Sequence, residues 1–225
     1  MWPIVRRSRE SYRLSAPDKH KTMKEKNNKR PKSQDDRIAF LQGFLKEPQQ
    51  VGSIIPSSRF LEQRLVEITQ VAEARTVVEL GPGTGGTTRK LLRAMAPDAK
   101  LVAIEISPDF LPILRKIDDP RLIVHAGNAL DLEQAIKAYN LDAPDVVLSG
   151  IPFSTLKRDL GEKILRSVFD SLAPKGRFVA YQLRDRVESL SRPIFGPAQV
   201  SVELLNIPPM RVYRWEKNSA EPERA

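Results

Sequence analysis

The sequence predicts an α/β fold on a mostly parallel sheet whose last strands pair antiparallel. Three observations carry that prediction. From Arg75 onward, short β-rich runs alternate with helical ones, the pattern of parallel strands joined by crossover helices. A glycine-rich stretch, Gly81-Pro82-Gly83-Thr84-Gly85-Gly86, directly follows the first of those runs, where such sheets hold ligands. The last two β-rich runs, 199–207 and 210–216, are joined only by Pro208-Pro209, a link too short for a parallel crossover, so they form an antiparallel pair at one end of the sheet.

Element by element, strands are expected at 76–80, 101–106, 121–125, 145–149 and 177–183, with helices between them at 87–95, 108–117, 131–139 and 158–172. Pro174-Lys175-Gly176 ends the last helix. Two helices precede the first strand. Ser33 and Asp36 resemble a capping box, and Ile38, Phe40, Leu41, Phe44 and Leu45 fall on one half of a helix that Pro48 stops. The second is capped by Ser57 or Ser58 and buries Leu61, Leu65, Ile68 and Ala72. Residues 1–33 read as a basic flexible arm, 34–74 as the two N-terminal helices, the second a cofactor lid, 75–217 as the catalytic domain, and 218–225 as a flexible tail.

Composition removes whole classes of chemistry. The 225 residues include no cysteine and only two histidines, His20 and His125, so disulfides, thiolate zinc, iron–sulfur clusters and cysteine nucleophiles are excluded, and no metal is expected. No run reaches the roughly 18 apolar residues of a spanning helix, and the N-terminus lacks a signal-peptide core; an intracellular protein is expected. The net charge is +9, but residues 1–37 hold 12 basic and 5 acidic side chains, leaving 25 and 23 for the rest. The excess belongs to the arm, which either aids solubility or seeks an anionic partner.

The glycine-rich loop supplies the site. Glycines allow a tight turn and close ligand approach, and the following helix presents unpaired N–H groups. Gly81, Gly83 and Gly86 satisfy the dinucleotide pattern G-x-G-x-x-G. Against a dinucleotide stands Glu79, two residues before the first glycine: its carboxylate repels a pyrophosphate and suits a ligand carrying ammonium and sulfonium. About 150 residues follow the loop, and the sheet ends in an antiparallel pair instead of a second mononucleotide half. S-adenosylmethionine is the better match.

At residues 50–216 the chain resembles the class I S-adenosylmethionine-dependent methyltransferases, whose Rossmann-like sheet has seven strands with a reversed last one. That resemblance implies that Glu79 and the glycines line the methionine portion. It implies that Glu105, ending Val102-Ala103-Ile104-Glu105, accepts both ribose hydroxyls, two acceptor oxygens meeting two vicinal donors. Asn128, in Gly127-Asn128-Ala129, stands where this superfamily meets the adenine amino group, or else is a loop-capping residue. His125 reads as a strand-end residue before a catalytic base. The cofactor set so expected is Ser57, Ser58, Glu79, Gly81, Gly83, Thr84, Gly85, Glu105, Ile106, Asn128, Ala129 and Ser149.

Ser149-Gly150-Ile151-Pro152-Phe153 follows the fourth strand at the substrate edge. Base-amine methyltransferases have Asp or Asn, then Pro-Pro and an aromatic residue there; Ser149 and Gly150 depart from that pattern while Pro152-Phe153 keeps it. The fuller resemblance is to bacterial phospholipid N-methyltransferases, themselves similar to ribosomal RNA adenine dimethyltransferases. It rests on 44–48, on 51–58 (Val-Gly-Ser-Ile-Ile-Pro-Ser-Ser), on the Glu79 loop, on 149–153, on Tyr181-Gln182, and on Asn206-Ile207-Pro208-Pro209 with Val212-Tyr213-Arg214. The resemblance implies stepwise methylation of phosphatidylethanolamine toward phosphatidylcholine, or of a related amino lipid.

On this reading Ser149, the carbonyls of Gly150 and Ile151, and Tyr181 line the amine pocket and form the catalytic set, while Arg184, Arg186 or Arg211 binds lipid phosphate. The arm and the 38–45 helix then hold the enzyme to an anionic membrane surface at the inner face, each basic residue contributing about 1 kcal/mol. The alternative is a ribosomal RNA or DNA adenine N-methyltransferase, in which the arm tracks phosphates and Phe153 stacks on a flipped base.

Overall fold

A computed structural model describes residues 57–218. The basic arm, the 38–45 helix, most of the 51–58 motif and the tail beyond Asn218 lie outside the described residues. The described chain forms a seven-stranded sheet in the order β3-β2-β1-β4-β5-β7-β6. Its strands are β1 (Thr76–Leu80), β2 (Lys100–Glu105), β3 (Leu122–Ala126), β4 (Val146–Ser149), β5 (Arg177–Gln182), β6 (Gln199–Glu203) and β7 (Met210–Glu216). β1 to β5 pair in parallel, and β7 runs antiparallel to both β5 and β6. The strand order therefore turns back between β1 and β4, which opens a crevice at their carboxyl ends.

Alternating strand residues separate two cores. On one face Val78, Leu80, Val102, Ile104, Val147, Phe178 and Ala180 pack against α4 (Leu132–Ala138), α5 (Arg158–Ser171) and α6 (Arg186–Phe195). On the other, Val77, Leu101, Val146, Leu148, Val179 and Val212 meet α1 (Arg59–Thr69) and α2 (Gly86–Ala94). With both faces covered, the central strands read as unbroken apolar runs.

Local chemistry accounts for the departures from expectation. Ser58 caps α1, its hydroxyl accepting from the Leu61 N–H at 3.2 Å; the helix stops at Thr69 because Gln70 turns left-handed (φ 52°), so Val71 enters the core and Ala72 is exposed. The helix expected at 108–117 shrinks to α3 (Leu111–Leu114), since Pro108 and Pro112 offer no amide hydrogens to extend it. The polar run Arg186–Phe195, which ends at Gly196 and contains Pro193, forms a helix absent from the expected set. The run expected at 199–207 is a strand only to Glu203; Leu204 to Pro209 make the hairpin tip.

One residue fastens the outer half of the sheet. Arg121 donates to both Asp119 oxygens at 3.0 and 2.7 Å, and to the carbonyls of Leu92, Met95 and Ala96 at the end of α2 at 2.6, 3.1 and 3.2 Å. Hydrogen bonding from Arg121 holds the Asp119 carboxyl below the usual carboxylate range. Arg121→Ala should therefore lower unfolding stability by about 1–3 kcal/mol, read as a shifted urea midpoint with unchanged slope, and Arg121→Lys should recover only part, because a point ammonium cannot span five acceptors.

Candidate active site

The carboxyl ends of β1, β2, β3 and β4 meet at a narrow cleft lined by Gly81, Ile104, Glu105, Ile106, Gly127, Asn128, Ala129 and Ile151. The loop after β1 turns through three left-handed glycines, of which Gly83 (φ +57°) faces open space and Gly85 (φ +79°) starts α2. Thr84 is exposed at the tip, its carbonyl accepting from Arg89.

Glu79 ends β1 at 1% exposure. Its Oε2 accepts from the Thr88 hydroxyl at 2.6 Å, while Oε1 has no partner. Burial pushes its carboxyl up to about 7, against the Thr88 hydrogen bond and with a further push from Glu105. Glu105 is also buried; its two oxygens accept from the N–H groups of Gly83 (3.0 Å) and Ser107 (2.8 Å). Burial raises its carboxyl while those backbone bonds oppose the rise. They fix the carboxylate plane and leave each oxygen a second lone pair.

Asn128 starts the turn after β3. Its Oδ1 accepts from Leu130 N–H at 3.1 Å and its own N–H donates to Asp131 at 2.9 Å, a capping box, so its carbonyl is oriented by the turn beside the cleft. His125 stays at the strand end with its Nδ1 3.1 Å from the Tyr139 hydroxyl. Ser58 has its hydroxyl in the α1 cap and its N–H on Asn206 Oδ1 at 2.9 Å, which ties it to the helix.

The 149–153 segment, expected to meet the methyl acceptor, has Gly150 apposed to Tyr181. Gly150 sits so close to Tyr181 that an added Cβ would lie 2.5 Å from the phenol oxygen and 2.9 Å from the Gly81 carbonyl oxygen. Burial first, then the Glu79 carboxylate, push the Tyr181 phenol up to about 12, against hydrogen bonding from Thr87 and Ser57. Ser149 is fully buried, its hydroxyl accepting from the Ile151 N–H at 3.2 Å.

Gln182 enters the sequence reading only as part of the Tyr181-Gln182 motif, with no role given to it. Its buried amide donates to the Ile151 carbonyl at 2.7 Å and accepts from the Phe153 N–H at 3.2 Å. The Ile151 carbonyl, expected to face the amine, is thus directed to Gln182. Phe153 is drawn into the core at 0% exposure and does not line the cleft. Gln182→Leu should orphan both backbone groups, at about 1–3 kcal/mol each; the expected result is a lower melting temperature and a lower kcat with cofactor affinity retained, measured by equilibrium binding beside steady-state turnover.

The site residues fit S-adenosylmethionine on two observations: a buried carboxylate oxygen lacking a partner at Glu79, and a left-handed Gly83 beside empty space. Among the described residues no carboxylate or histidine group is arranged for a metal.

Comparison with known proteins agrees. The model of the family described as ribosomal RNA adenine dimethylase matches residues 34–174. The ornithine lipid N-methyltransferase of Singulisphaera acidiphila is 31% identical over 181 residues, 79% of this chain and 94% of that protein. The ribosomal RNA small subunit methyltransferase A of Caulobacter vibrioides is 38% identical over 95 residues, but the match spans 41% of this chain and only 34% of that protein. The solved O-methyltransferase of Bacillus cereus, in complex with SAH, aligns over 80% of this chain and 91% of that one with a TM-score of 0.58 at 16% identity, a likeness of fold. Fold and site together define a class I S-adenosylmethionine-dependent methyltransferase. Within that class, the chain belongs to the ribosomal RNA adenine dimethylase family.

Proposed function

We propose that this methyltransferase acts on the primary amine of a membrane amino lipid, phosphatidylethanolamine or an ornithine lipid. The observation that carries the reading is the 149–153 segment: Phe153 is wholly inside the core and offers no ring to stack on a base, and Gly150 lies against the Tyr181 phenol oxygen. Near-full-length similarity to an ornithine lipid N-methyltransferase supports it, against a match to about a third of the ribosomal RNA enzyme.

When bound, S-adenosylmethionine supplies an electrophilic methyl carbon. Glu79 Oε1 would meet the cationic end of the cofactor, Glu105 its ribose hydroxyls, and Asn128 with Ile106 and Ala129 its base. A neutral amine needs positioning more than a strong base. Tyr181, held protonated at neutral pH, accepts a hydrogen bond from the amine and so orients its lone pair, with the Gly150 carbonyl and Ser149 beside it; the amine proton leaves to solvent. Exposed Arg184, Arg186 or Arg211 would hold the lipid phosphate.

The test is a competition. Purified protein and methyl-labelled S-adenosylmethionine are mixed with vesicles holding phosphatidylethanolamine and ornithine lipid, together with ribosomal RNA, and the organic and aqueous phases are separated. Label on a lipid headgroup is the expected result and names the acceptor. Label on RNA adenine would overturn the reading in favour of the family's RNA branch, and label in neither would point to a different small acceptor.

A further inference from the structure

The tip of the β6–β7 hairpin is inverted relative to an ordinary surface turn. Its polar residues are inside: Glu203 accepts from the Leu205 N–H at 2.9 Å and pairs with Arg64 at 3.5 Å. Asn206 accepts from the Ser58 N–H and donates to the Pro208 carbonyl at 2.8 Å. Its large apolar residues are outside, with Leu204 70%, Leu205 61% and Ile207 84% exposed. A loop whose backbone is satisfied from beneath while three aliphatic side chains face out is a formed surface, and contiguous exposed apolar groups of this kind mark contact sites.

Its position identifies the partner. β7 runs antiparallel to β5, so the tip stands at the carboxyl edge of the sheet, beside the acceptor segment. Gln182, Arg211 and Val202 are cross-strand neighbours in one line and share a face, so an exposed guanidinium lies between the clamp on the acceptor segment and the apolar tip. Arg59, Arg184 and Arg186 are exposed around the same edge with one exposed acid, Asp185, among them, while Glu203 pairs with Arg64 and Glu188 with Arg192, so the arginines are in excess. Aliphatic side chains ringed by arginine match the apolar interior and anionic headgroups of a bilayer surface.

We infer that the β6–β7 tip is a membrane-contact element that seats Leu204, Leu205 and Ile207 below the headgroups, with Arg211 and its neighbours at headgroup level. This rests on the amino-lipid reading for its purpose and concerns the described residues alone. Because Asn206 holds Ser58, and Ser57 lies beside Tyr181, the contact also joins the bilayer to the Tyr181 side of the 149–153 segment.

Two measurements on the full chain test it. The Leu204→Ser, Leu205→Ser, Ile207→Ser triple variant should lose about tenfold or more of its turnover on phosphatidylethanolamine/phosphatidylglycerol vesicles, with turnover of a short-chain, monomeric phosphatidylethanolamine unchanged; equal vesicle turnover by variant and parent would overturn the inference. Since the protein has no cysteine, Ile207→Cys takes a single environment-sensitive fluorophore. Its emission should rise and shift to the blue on those vesicles, while the same label at Asp142→Cys, on the opposite edge, stays constant. No response at position 207, or a response to ribosomal RNA instead of vesicles, would also overturn it. Should no amino lipid be methylated in either form, the functional reading fails while the label at position 207 still decides the membrane contact.

Discussion

Gly150→Ala is expected to lower kcat/KM on the amino-lipid acceptor about a hundredfold, the effect of misplacing reacting groups by about an ångström. An alanine methyl would stand 2.5 Å from the Tyr181 oxygen and 2.9 Å from the Gly81 carbonyl. The phenol would have to shift away from Gly150, and the carbonyl belongs to the glycine-rich loop. Something on each side moves, so both substrates lose their geometry. Overpacking of this kind costs about 1–3 kcal/mol of stability, which a denaturant titration reads directly.

The companion variants separate space from chemistry. Tyr181→Phe removes the 2.5 Å contact, so the Gly150→Ala, Tyr181→Phe pair should regain part of the stability lost by the single alanine variant, though not its turnover, because the 2.9 Å contact with Gly81 persists. Tyr181→Phe alone should keep its fold and lose turnover by about tenfold, the worth of one orienting hydrogen bond. Full headgroup turnover by Tyr181→Phe would remove Tyr181 from the acceptor site, and full turnover by Gly150→Ala would place the site elsewhere.

What was legible in the sequence is what local chemistry decides. Apolar runs and their spacing gave β1 to β5, because strands covered on both faces must be continuously hydrophobic. The Pro208-Pro209 link gave the antiparallel end, since two residues reach no further than a neighbouring strand. Glu79, Gly83 and Glu105 stood out because each departs from its neighbours: a carboxylate in an apolar strand, a glycine in a turn. Gln182 did not, because its two partners lie 31 and 29 residues away across β5 and β4 and nothing in its own neighbourhood distinguishes a clamping amide from a surface one. Phe153 next to Pro152 reads as a stacking ring until the turn at Phe153–Thr155 rolls it into the core. The segment Arg186–Phe195 hid for a related reason: its arginines and Ser189 face solvent, and only Val187, Leu190 and Ser191 are buried, too thin a stripe for periodicity to show. The reach of the 199–207 run was overestimated because Leu204, Leu205 and Ile207 look like strand residues, whereas the buried Glu203 and Asn206 turn the chain over.

Glu79→Gln should weaken S-adenosylmethionine about a hundredfold, near 3 kcal/mol, since a buried charge-assisted contact is lost and an amide must compete for the Thr88 hydroxyl. The same carboxyl makes the free enzyme sensitive to pH. Its folded-state pKa of about 7 lies above the usual 4.5, so between those values the folded protein holds a proton that the unfolded chain has released. Stability from this group is therefore full below about pH 4.5 and lost as pH rises through 7, by about 3 kcal/mol in all. Glu79→Gln lacks that loss, so its advantage in melting temperature over the parent should grow from pH 5 to pH 8. Cofactor binding runs the other way. A cationic ligand favours the ionised carboxylate, so the parent's affinity should climb with pH up to about 7, by as much as about tenfold per unit, and then level, while the Gln variant stays flat in that window. Calorimetric titration at pH 5.5 and 7.5 measures both arms; a flat parent profile together with an unweakened Gln variant would mean that the orphaned oxygen of Glu79 faces something other than the positive charge of the methyl donor.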